Sequence, residues 1–395
     1  MGWSTKRKTG LTQRNEKSIN GYSVITPNGG DTAYLLGPDG KVVNYWRFPW
    51  YQPGHAYLTP EGTLLTRGRL LEETKNGWEI VPDAADIAVE FDWDGNVIWK
   101  WDKGDIHHGF YRMPNGNTLF IAWTPMPEGL RERLNGGLPP NQIKTIVEKD
   151  PDFMDFLLDG IGVGFRPKKE GGFSESIIEV DPQGNIVKQW FDYDHLSPED
   201  TPLCPLCRGG EWLHANSISM TADGHVLVSF RQVSLVVKIN WETGDIVWSH
   251  GRPHISHQHD PTETPDGNIL IFDNGTHHPI QGRTSVVEID PETKNVLWRY
   301  SGEVSFDFIS LHIGGAERLP NGNTMICEGE GGRLFEVTPD KEICWEWVSP
   351  FVHDFKGKPN VQIFKTRTYA ADSPELTGRD LSGSHCDAIN KQYNL

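Results

Sequence analysis

Short runs of apolar residues, four to seven residues long, alternate along the chain with polar turns that contain an Asx-Gly step. Such turns favour tight hairpins, because a type I′ turn needs a positive φ at both central positions. No long stretch carries the 3.6-residue apolar period of a helix. The pattern therefore predicts an all-β chain of many short strands.

These strands and turns form a unit that recurs along the chain. Each unit starts with a histidine, continues through a turn such as Pro-Asn-Gly-Asn, and then has a strand that alternates apolar and acidic residues before a tryptophan. The five full copies start at His55, His107 with His108, His214, His257 with His259, and His312. Units of ~45 residues with three or four strands are typical of propeller blades. We expect the periodic tryptophans to pack between blades.

A partial copy over residues 33–46 has only the outer half of the unit. We expect residues 360–365, near the C-terminus, to supply its missing inner strand. The sequence thus predicts a six-bladed β-propeller, formed as a single domain by residues 1–395, with one blade closed between N- and C-terminal strands.

Two segments interrupt the repeat, at about residues 125–173 and 194–212. The first is rich in proline and contains an apolar stretch at 153–158 that suits a short helix. Long insertions in compact domains often form lids or binding loops. We expect both insertions to cap one mouth of the propeller.

The formal net charge of −17 argues against nucleic acid and anionic membrane surfaces as partners. No apolar run reaches the ~18 residues of a membrane span. The basic N-terminus lacks the apolar stretch of a signal peptide. The sequence as written therefore indicates a cytoplasmic protein, or a periplasmic one if a leader has been removed.

Five cysteines do not suggest a complete disulfide framework. Cys204 and Cys207 have the CxxC spacing, but a structural zinc site needs four ligands. Two loop thiols or a local disulfide is the simpler interpretation of this pair.

Candidate chemistry comes from the repeat, because the innermost strand of each blade lines the central channel of a propeller. The histidines that start the units therefore point at a common axis. They suit either catalysis or hydrogen bonds between blades. Other histidines lie outside this register, and the following are interpreted as surface or turn residues: His195, His225, His277 and His278.

Two further residues favour a catalytic interpretation. Asn216 stands two positions after His214, and so on the same face of a strand, while Arg231 is placed on the next strand. An arginine inside a channel must be paired or must bind an anion. Together with the histidines, these donors suit a tetrahedral oxyanion.

The motifs that contain these residues resemble those of the bacterial arylsulfate sulfotransferases. The resemblance covers most of residues 50–350 and rests on three stretches: His214-Ala-Asn216 with Val-Ser-Phe-Arg231, Gln258-His259 with Phe272-Asp273-Asn274-Gly275, and His107-His108 with Pro114-Asn115-Gly116-Asn117. The family has six blades. Its members move a sulfuryl group between phenols without the nucleotide donor PAPS.

The resemblance also implies roles for individual residues. His259 matches the histidine that becomes transiently sulfated, and His108 or His107 matches the proton-transfer histidine. The other matches are His214, Asn216 and Arg231 at the sulfate-binding positions, and we expect His214 to take part in catalysis as well. From their position in the repeat, His55, His257 and His312 are further candidate substrate contacts. The implied partners are an aryl sulfate and a phenol, with no cofactor and with ping-pong kinetics. A homodimer is also conceivable from the family.

Two other hypotheses fit the same histidines. Imidazoles that converge on an axis also suit a divalent metal ion, as in a metal-dependent lyase or hydrolase. Its candidate ligands are His107, His108, His257, His259 and His312, with Glu328 or Glu330 near them. The third hypothesis is a non-catalytic interaction propeller in which the histidines only join the blades.

Overall fold

The computed structural model describes residues 8–48, 51–70, 84–85, 87–138, 172–208, 211–278, 283–304, 307–355 and 358–395. These residues are nearly all β, with few and short helices. Six sheets of four or five antiparallel strands are the blades of the six-bladed β-propeller that the repeat predicts, so the predicted fold class is confirmed.

The chain divides into two compact units. Unit 1 comprises residues 1–72, 86–103 and 302–395, and unit 2 comprises residues 73–85 and 104–301. Each unit contains three of the six sheets. The expectation of one domain stays a prediction.

In unit 1, one sheet joins both ends of the chain. Its strands, from one edge to the other, are β30 (Arg367–Tyr369), β2 (Tyr22–Ile25), β3 (Thr32–Leu36) and β4 (Val42–Arg47). The C-terminal strand therefore pairs with β2, as expected, but it is formed by 367–369 rather than by 360–365. Ile363 lies outside this strand and forms an isolated bridge to Pro27.

The second sheet of unit 1 contains β5 (Tyr51–Leu58), β6 (Leu64–Leu70), β8 (Ile87–Phe91) and β9 (Val97–Trp101). The third contains β24 (Gly315–Arg318), β25 (Thr324–Glu328), β26 (Arg333–Val337), β27 (Ile343–Val348) and β1 (Gly10–Arg14). A hairpin of β28 (His353–Phe355) and β29 (Lys358–Asn360) and a C-terminal helix α2 (Asp387–Tyr393) complete this unit. The N-terminal β1 adds an outer strand that the repeat does not predict.

The first sheet of unit 2 contains β7 (Ala84–Ala85), β10 (Ile106–Arg112), β11 (Thr118–Pro125), β13 (Phe173–Val180) and β14 (Ile186–Phe191). The second contains β16 (Ala215–Met220), β17 (Val226–Phe230), β18 (Leu235–Ile239) and β19 (Ile246–Gly251). The third contains β20 (His259–Glu263), β21 (Ile269–Asp273), β22 (Ser285–Ile289) and β23 (Val296–Tyr300).

The two insertions meet within unit 2. The first contributes a one-turn helix, α1 (Leu130–Arg133), and β12 (Gly136–Leu138), and the second contributes β15 (Leu203–Arg208). β12 and β15 pair in parallel. The expected helix at 153–158 lies outside the described residues, and the capping of a propeller mouth stays a prediction.

Tryptophans join neighbouring blades through their indole N–H groups, as the repeat predicts. Each donates to a backbone carbonyl in a turn of the next sheet. The donor–acceptor pairs are Trp46 to Asp92, Trp190 to Gly244, Trp248 to Pro291, Trp345 to Pro38 and Trp347 to Gly40, at 2.9–3.0 Å. A buried indole therefore contributes apolar area and also satisfies its donor.

Within the described residues, no helix is long and apolar enough to cross a membrane.

Candidate functional site

The first strand of each unit 2 blade is irregular at the point where the histidines stand. Register shifts occur in β10 after His107, in β16 after Ala215 and in β20 after His259. Such bulges bend a strand and re-aim its side chains. His108 and His214 also have positive φ angles of 45° and 55°, which are uncommon for non-glycine residues.

His107 and His108 form a buried hydrogen-bonded chain with Glu175. His107 Nε2 lies 2.8 Å from Glu175 Oε2, and its Nδ1 lies 2.7 Å from His108 Nδ1. The His107 ring stacks on Trp123 at a centroid distance of 4.2 Å. All three polar side chains are almost fully buried. Bulk water therefore does not compete for the hydrogen bonds between them.

His214 has its own carboxylate. Its Nδ1 lies 2.7 Å from Glu211 Oε2, and Trp123 Nε1 donates to the other oxygen of Glu211 at 3.2 Å. The rings of His214 and His108 meet edge to face at 4.6 Å. A carboxylate that accepts from Nδ1 holds the imidazole ring in one orientation.

The two carboxyl groups near these histidines, those of Glu175 and Glu211, have opposite pKa shifts. Burial, followed by the negative charges of Glu211 and Asp192, raises the pKa of Glu175 well above its ordinary value. Burial opposes ionisation of Glu211, but the electrostatic contribution and the hydrogen bond of His214 lower the pKa of Glu211 to about 2. The pair therefore holds its negative charge on Glu211 and its proton on Glu175.

His259 is buried at the start of β20 and is oriented by an amide. Its Nδ1 lies 2.7 Å from Asn274 Oδ1, just after β21. Since an amide oxygen only accepts, Nδ1 carries the proton and the lone pair stands on Nε2. The geometry matches that of a neutral imidazole nucleophile.

Asn216 contacts the neighbouring blade. Its Nδ2 donates to the Gln258 carbonyl at 2.8 Å, and both residues are fully buried. Ser217 accepts from the backbone N–H of Asp260 at 2.9 Å. These bonds tie the start of β16 to the residues on either side of His259. Asn216 therefore positions the backbone beside His259, a contact that the sequence does not reveal.

Arg231 lies in the turn directly after β17, one residue beyond the strand on which the sequence places it. Its backbone N–H donates to the His214 carbonyl at 2.9 Å, and the residue is 8% exposed. Burial, with a further contribution from the Arg231 charge, lowers the pKa of His257 to about 4. The guanidinium thus supplies positive charge on the side of unit 2 that holds His214 and His257.

His257 faces the second insertion. Its Nε2 lies 3.1 Å from Cys207 Sγ, and its ring meets that of His277 at 4.8 Å. His277 contacts the Cys204 sulfur, so it is not the plain surface or turn residue that its position outside the repeat register suggests. The two cysteines lie on strand β15 rather than in a loop, and neither forms a disulfide.

The expected metal ligands do not group as the sequence suggests. Among the described residues, the one set of three or more potential ligands is formed by Cys204, Cys207, His257 and His277. His257 is thus the only one of the five proposed histidine ligands in that set.

In unit 1, His55 lies in a cationic environment. The ring is 1% exposed and stacks on Phe364 at 5.6 Å. Burial, followed by the charges of Lys365, Arg67 and Arg367, lowers the pKa of His55 well below its ordinary value. These surroundings suit an anion better than a metal cation.

His312 is also in unit 1, where it precedes β24 and is only partly buried. Its Nδ1 lies 2.5 Å from Glu330 Oε1. The neighbouring Glu328 pairs with Arg333 at 3.0 Å. Glu330 and Glu328 therefore each have a protein partner of their own.

Sequence reasoning missed the groups that orient the imidazoles. Glu211 stands three residues before His214, and this spacing could have drawn attention to it. Asn274 belongs to a motif that carries the family resemblance, but without a role there. Glu175 gives no local signal, because it lies 68 residues from His107.

A family model described as "Arylsulfotransferase (ASST)" matches residues 159–350, which supports the family indicated by the motifs. The matched range contains His214, Arg231 and His259. It leaves out His107 and His108. No curated protein matches the chain.

Solved structures resemble the chain at low identity. A protein of unknown function from Bacteroides caccae is 13% identical, with 88% of this chain and 98% of that chain covered and a TM-score of 0.53. A streptogramin B lyase (11% identical, 87% and 89% covered, TM-score 0.46) and a virginiamycin B lyase from Staphylococcus aureus (10%, 88% and 91%, 0.44) also match. The first likeness concerns the fold alone, and the two lyases are too distant to support an inference.

Proposed function

We propose, from the membership of this chain in the arylsulfotransferase family, that it transfers a sulfuryl group from an aryl sulfate to a phenol through a sulfohistidine intermediate. Sulfotransferase activity at the family level follows from the match. The histidine intermediate is the further step, and the oriented imidazole of His259 is the observation that carries it.

In the first half-reaction, His259 Nε2 attacks the sulfur of the aryl sulfate. The N–S bond forms while the bond between sulfur and the aryl oxygen breaks, and the phenolate leaves with the bonding electron pair. Sulfuryl transfer resembles phosphoryl transfer, so the transition state is loose and charge grows on the leaving oxygen. Asn274 keeps the proton on Nδ1, so the lone pair of the nucleophile is on Nε2.

A second imidazole protonates the leaving phenolate. We assign this role to His108, with His107 and Glu175 as the hydrogen-bonded chain behind it. The neutral Glu175 keeps that chain supplied with a proton. In the second half-reaction the acceptor phenol returns its proton to His108 and attacks sulfur, and the N–S bond breaks. General acid–base catalysis of this kind contributes ~10²–10⁴-fold.

Arg231 and His214 hold the nonbridging sulfate oxygens. The Arg231 guanidinium supplies a full positive charge, and His214, whose ring is oriented by Glu211, supplies a second contact. Each donor aimed at such an oxygen is worth ~2–4 kcal/mol in the transition state. Asn216 supports the site by positioning the backbone beside His259.

The test uses nitrophenyl sulfate as the donor, with and without phenol as the acceptor. We expect nitrophenol release that needs the acceptor for turnover, and a protein that gains the mass of one sulfuryl group when only the donor is present. The His259→Ala variant is expected to lose both signals. His254→Ala, an exposed histidine outside the site, serves as the matched control and is expected to keep them.

Two results would contradict the proposal. Full turnover by the His259→Ala variant removes the nucleophile assignment. Turnover without a labelled protein, at donor concentrations that saturate the wild type, indicates direct transfer between donor and acceptor.

A further inference from the structure

Four potential metal ligands meet where the second insertion packs against a blade of unit 2. Cys204 and Cys207 come from β15, His257 comes from the residues just before β20, and His277 follows β21. Their ligand atoms all lie within 4.8 Å of one another. The sequence offers only the CxxC pair, because the histidines stand at least 50 residues further along the chain.

The distances between these atoms fit one tetrahedral ion. Zn–S bonds of ~2.3 Å and Zn–N bonds of ~2.0–2.1 Å place sulfur and nitrogen ligands about 3.5 Å apart in a tetrahedron. The Cys207 sulfur lies 3.1 Å from His257 Nε2 and 3.8 Å from His277 Nδ1, and the Cys204 sulfur lies 3.5 Å from His277 Nδ1. These separations lie around the tetrahedral value.

The hydrogen bonds around His257 select the tautomer that a metal needs. Ser256 Oγ donates to the Thr276 carbonyl at 2.7 Å, so its lone pairs face His257 Nδ1 at 3.2 Å. Nδ1 therefore carries the proton, and the Nε2 lone pair points at the cysteine sulfur. Metal-bound histidines usually donate their second ring N–H in this way.

The donor types narrow the choice of ion. Two thiols and two imidazoles form the soft, four-ligand set of structural zinc sites. Cys204, Cys207 and His257 are 1%, 5% and 0% exposed, and His277 is partly buried. A set of four protein ligands also leaves no open position for a substrate, which is typical of a structural rather than a catalytic ion.

We propose that Cys204, Cys207, His257 and His277 bind one structural Zn²⁺. The ion fastens β15, and through it the paired strand β12, to the blade that carries His259. It thereby fixes the two insertions against one sheet of unit 2. This site is separate from the divalent metal hypothesis for the repeat histidines, of which it uses only His257.

The first experiment measures the metal content of the protein after purification without chelator. We expect one zinc per chain by elemental analysis. After exchange, Co²⁺ is expected to give the thiolate charge-transfer and tetrahedral d–d bands of a mixed sulfur and nitrogen site. Both measurements use the intact wild-type chain, so they do not depend on a variant that folds poorly.

Substitutions then locate the ion. Cys204→Ser, Cys207→Ser and His277→Ala are each expected to lose most of the bound zinc. Two variants serve as matched controls and are expected to keep it. His254→Ala removes an exposed neighbouring histidine. Cys344→Ser removes a buried thiol in unit 1 whose Sγ contacts the Glu336 carbonyl, a bond that serine can also make.

A metal-free wild type with a Cys204–Cys207 disulfide, or with both thiols open to alkylation after incubation with Zn²⁺, would overturn the proposal. So would zinc that persists in all three ligand variants. Zinc content is read without any sulfate assay, so this result and the outcome of the sulfotransferase test remain independent of each other.

Discussion

Glu211 Oε2 lies 2.7 Å from His214 Nδ1, and the two side chains are 14% and 15% exposed. The three-residue spacing brings the carboxylate back onto the imidazole just before β16 begins. The contact is local in sequence, yet it orients a histidine that faces the neighbouring strand through His108. A substitution at Glu211 therefore tests the role of His214 in the proposed reaction.

The Glu211→Gln variant keeps an oxygen that can accept from His214 Nδ1 but removes the negative charge. We expect kcat for aryl-sulfate turnover to fall by ~10²-fold or more, because a neutral amide replaces the charge-assisted hydrogen bond that orients the His214 ring. Steady-state kinetics with nitrophenyl sulfate measure this. Glu199→Gln, which changes an exposed glutamate paired with Arg133, is the control. Unchanged kcat in Glu211→Gln would show that the negative charge of Glu211 is not needed beside His214.

Asn274 is expected to act through His259. An Asn274→Leu variant has a similar size but cannot accept from Nδ1, so the His259 tautomers mix and labelling slows by ~10-fold or more. Asn274→Asp keeps an acceptor and is expected to retain most of the rate. The readout is the rate of sulfuryl incorporation with donor alone. Equal rates in the two variants would mean that the amide does not orient the ring.

Substitution of Asn216 distinguishes a role in positioning the backbone from direct binding of the sulfate group. The Asn216→Leu variant loses the bond to the Gln258 carbonyl, which still accepts from Ser229 at 3.0 Å. We expect a loss of about 1 kcal/mol in the free energy of unfolding, together with a lower kcat. Denaturant unfolding and kinetics measure the two effects. A higher KM with unchanged stability would instead favour direct contact with sulfate.

The raised pKa of the buried Asp192 is expected to make the stability of the protein depend on pH. Burial raises its pKa to about 7, against hydrogen bonds from Ser174 and from the Glu175 backbone that favour the charged form. Because the folded state keeps a proton that the unfolded state releases, this group's contribution to the free energy of unfolding falls as pH rises from about 4 to about 7, by on the order of 4 kcal/mol. The exposed Asp194 and the buried Glu175 are its titratable neighbours.

The Asp192→Asn variant is expected to flatten that pH dependence, since asparagine can accept from the Glu175 N–H and donate to Ser174. Its stability relative to the wild type should rise between pH 4 and pH 7. Thermal unfolding across that range measures the difference, with the exposed Asp194→Asn as the control. A constant difference across the range would contradict the raised pKa.

Much of the fold could be predicted because its determinants recur. Equivalent turns and strands in each sequence repeat predict the blades. The tryptophan at the end of a repeat indicates the hydrogen bond to the next blade, as with Trp248 and Pro291. The sequence predicts the closing strand close to its true place. Its position at 367–369 depends on pairing with β2, and no equivalent segment in the other repeats indicates it.

By itself the sequence determined the architecture, because a repeated pattern of apolar and polar residues specifies which positions face inward on every blade. Only the tertiary structure decided which side chains meet. Glu175 reaches His107 across 68 residues, and Cys207 reaches His257 across 50, through the packing of one strand against another. A repeat in the sequence indicates that two positions are equivalent. A hydrogen bond or a set of metal ligands depends on distances between segments that are far apart in the chain, and no local pattern encodes these distances.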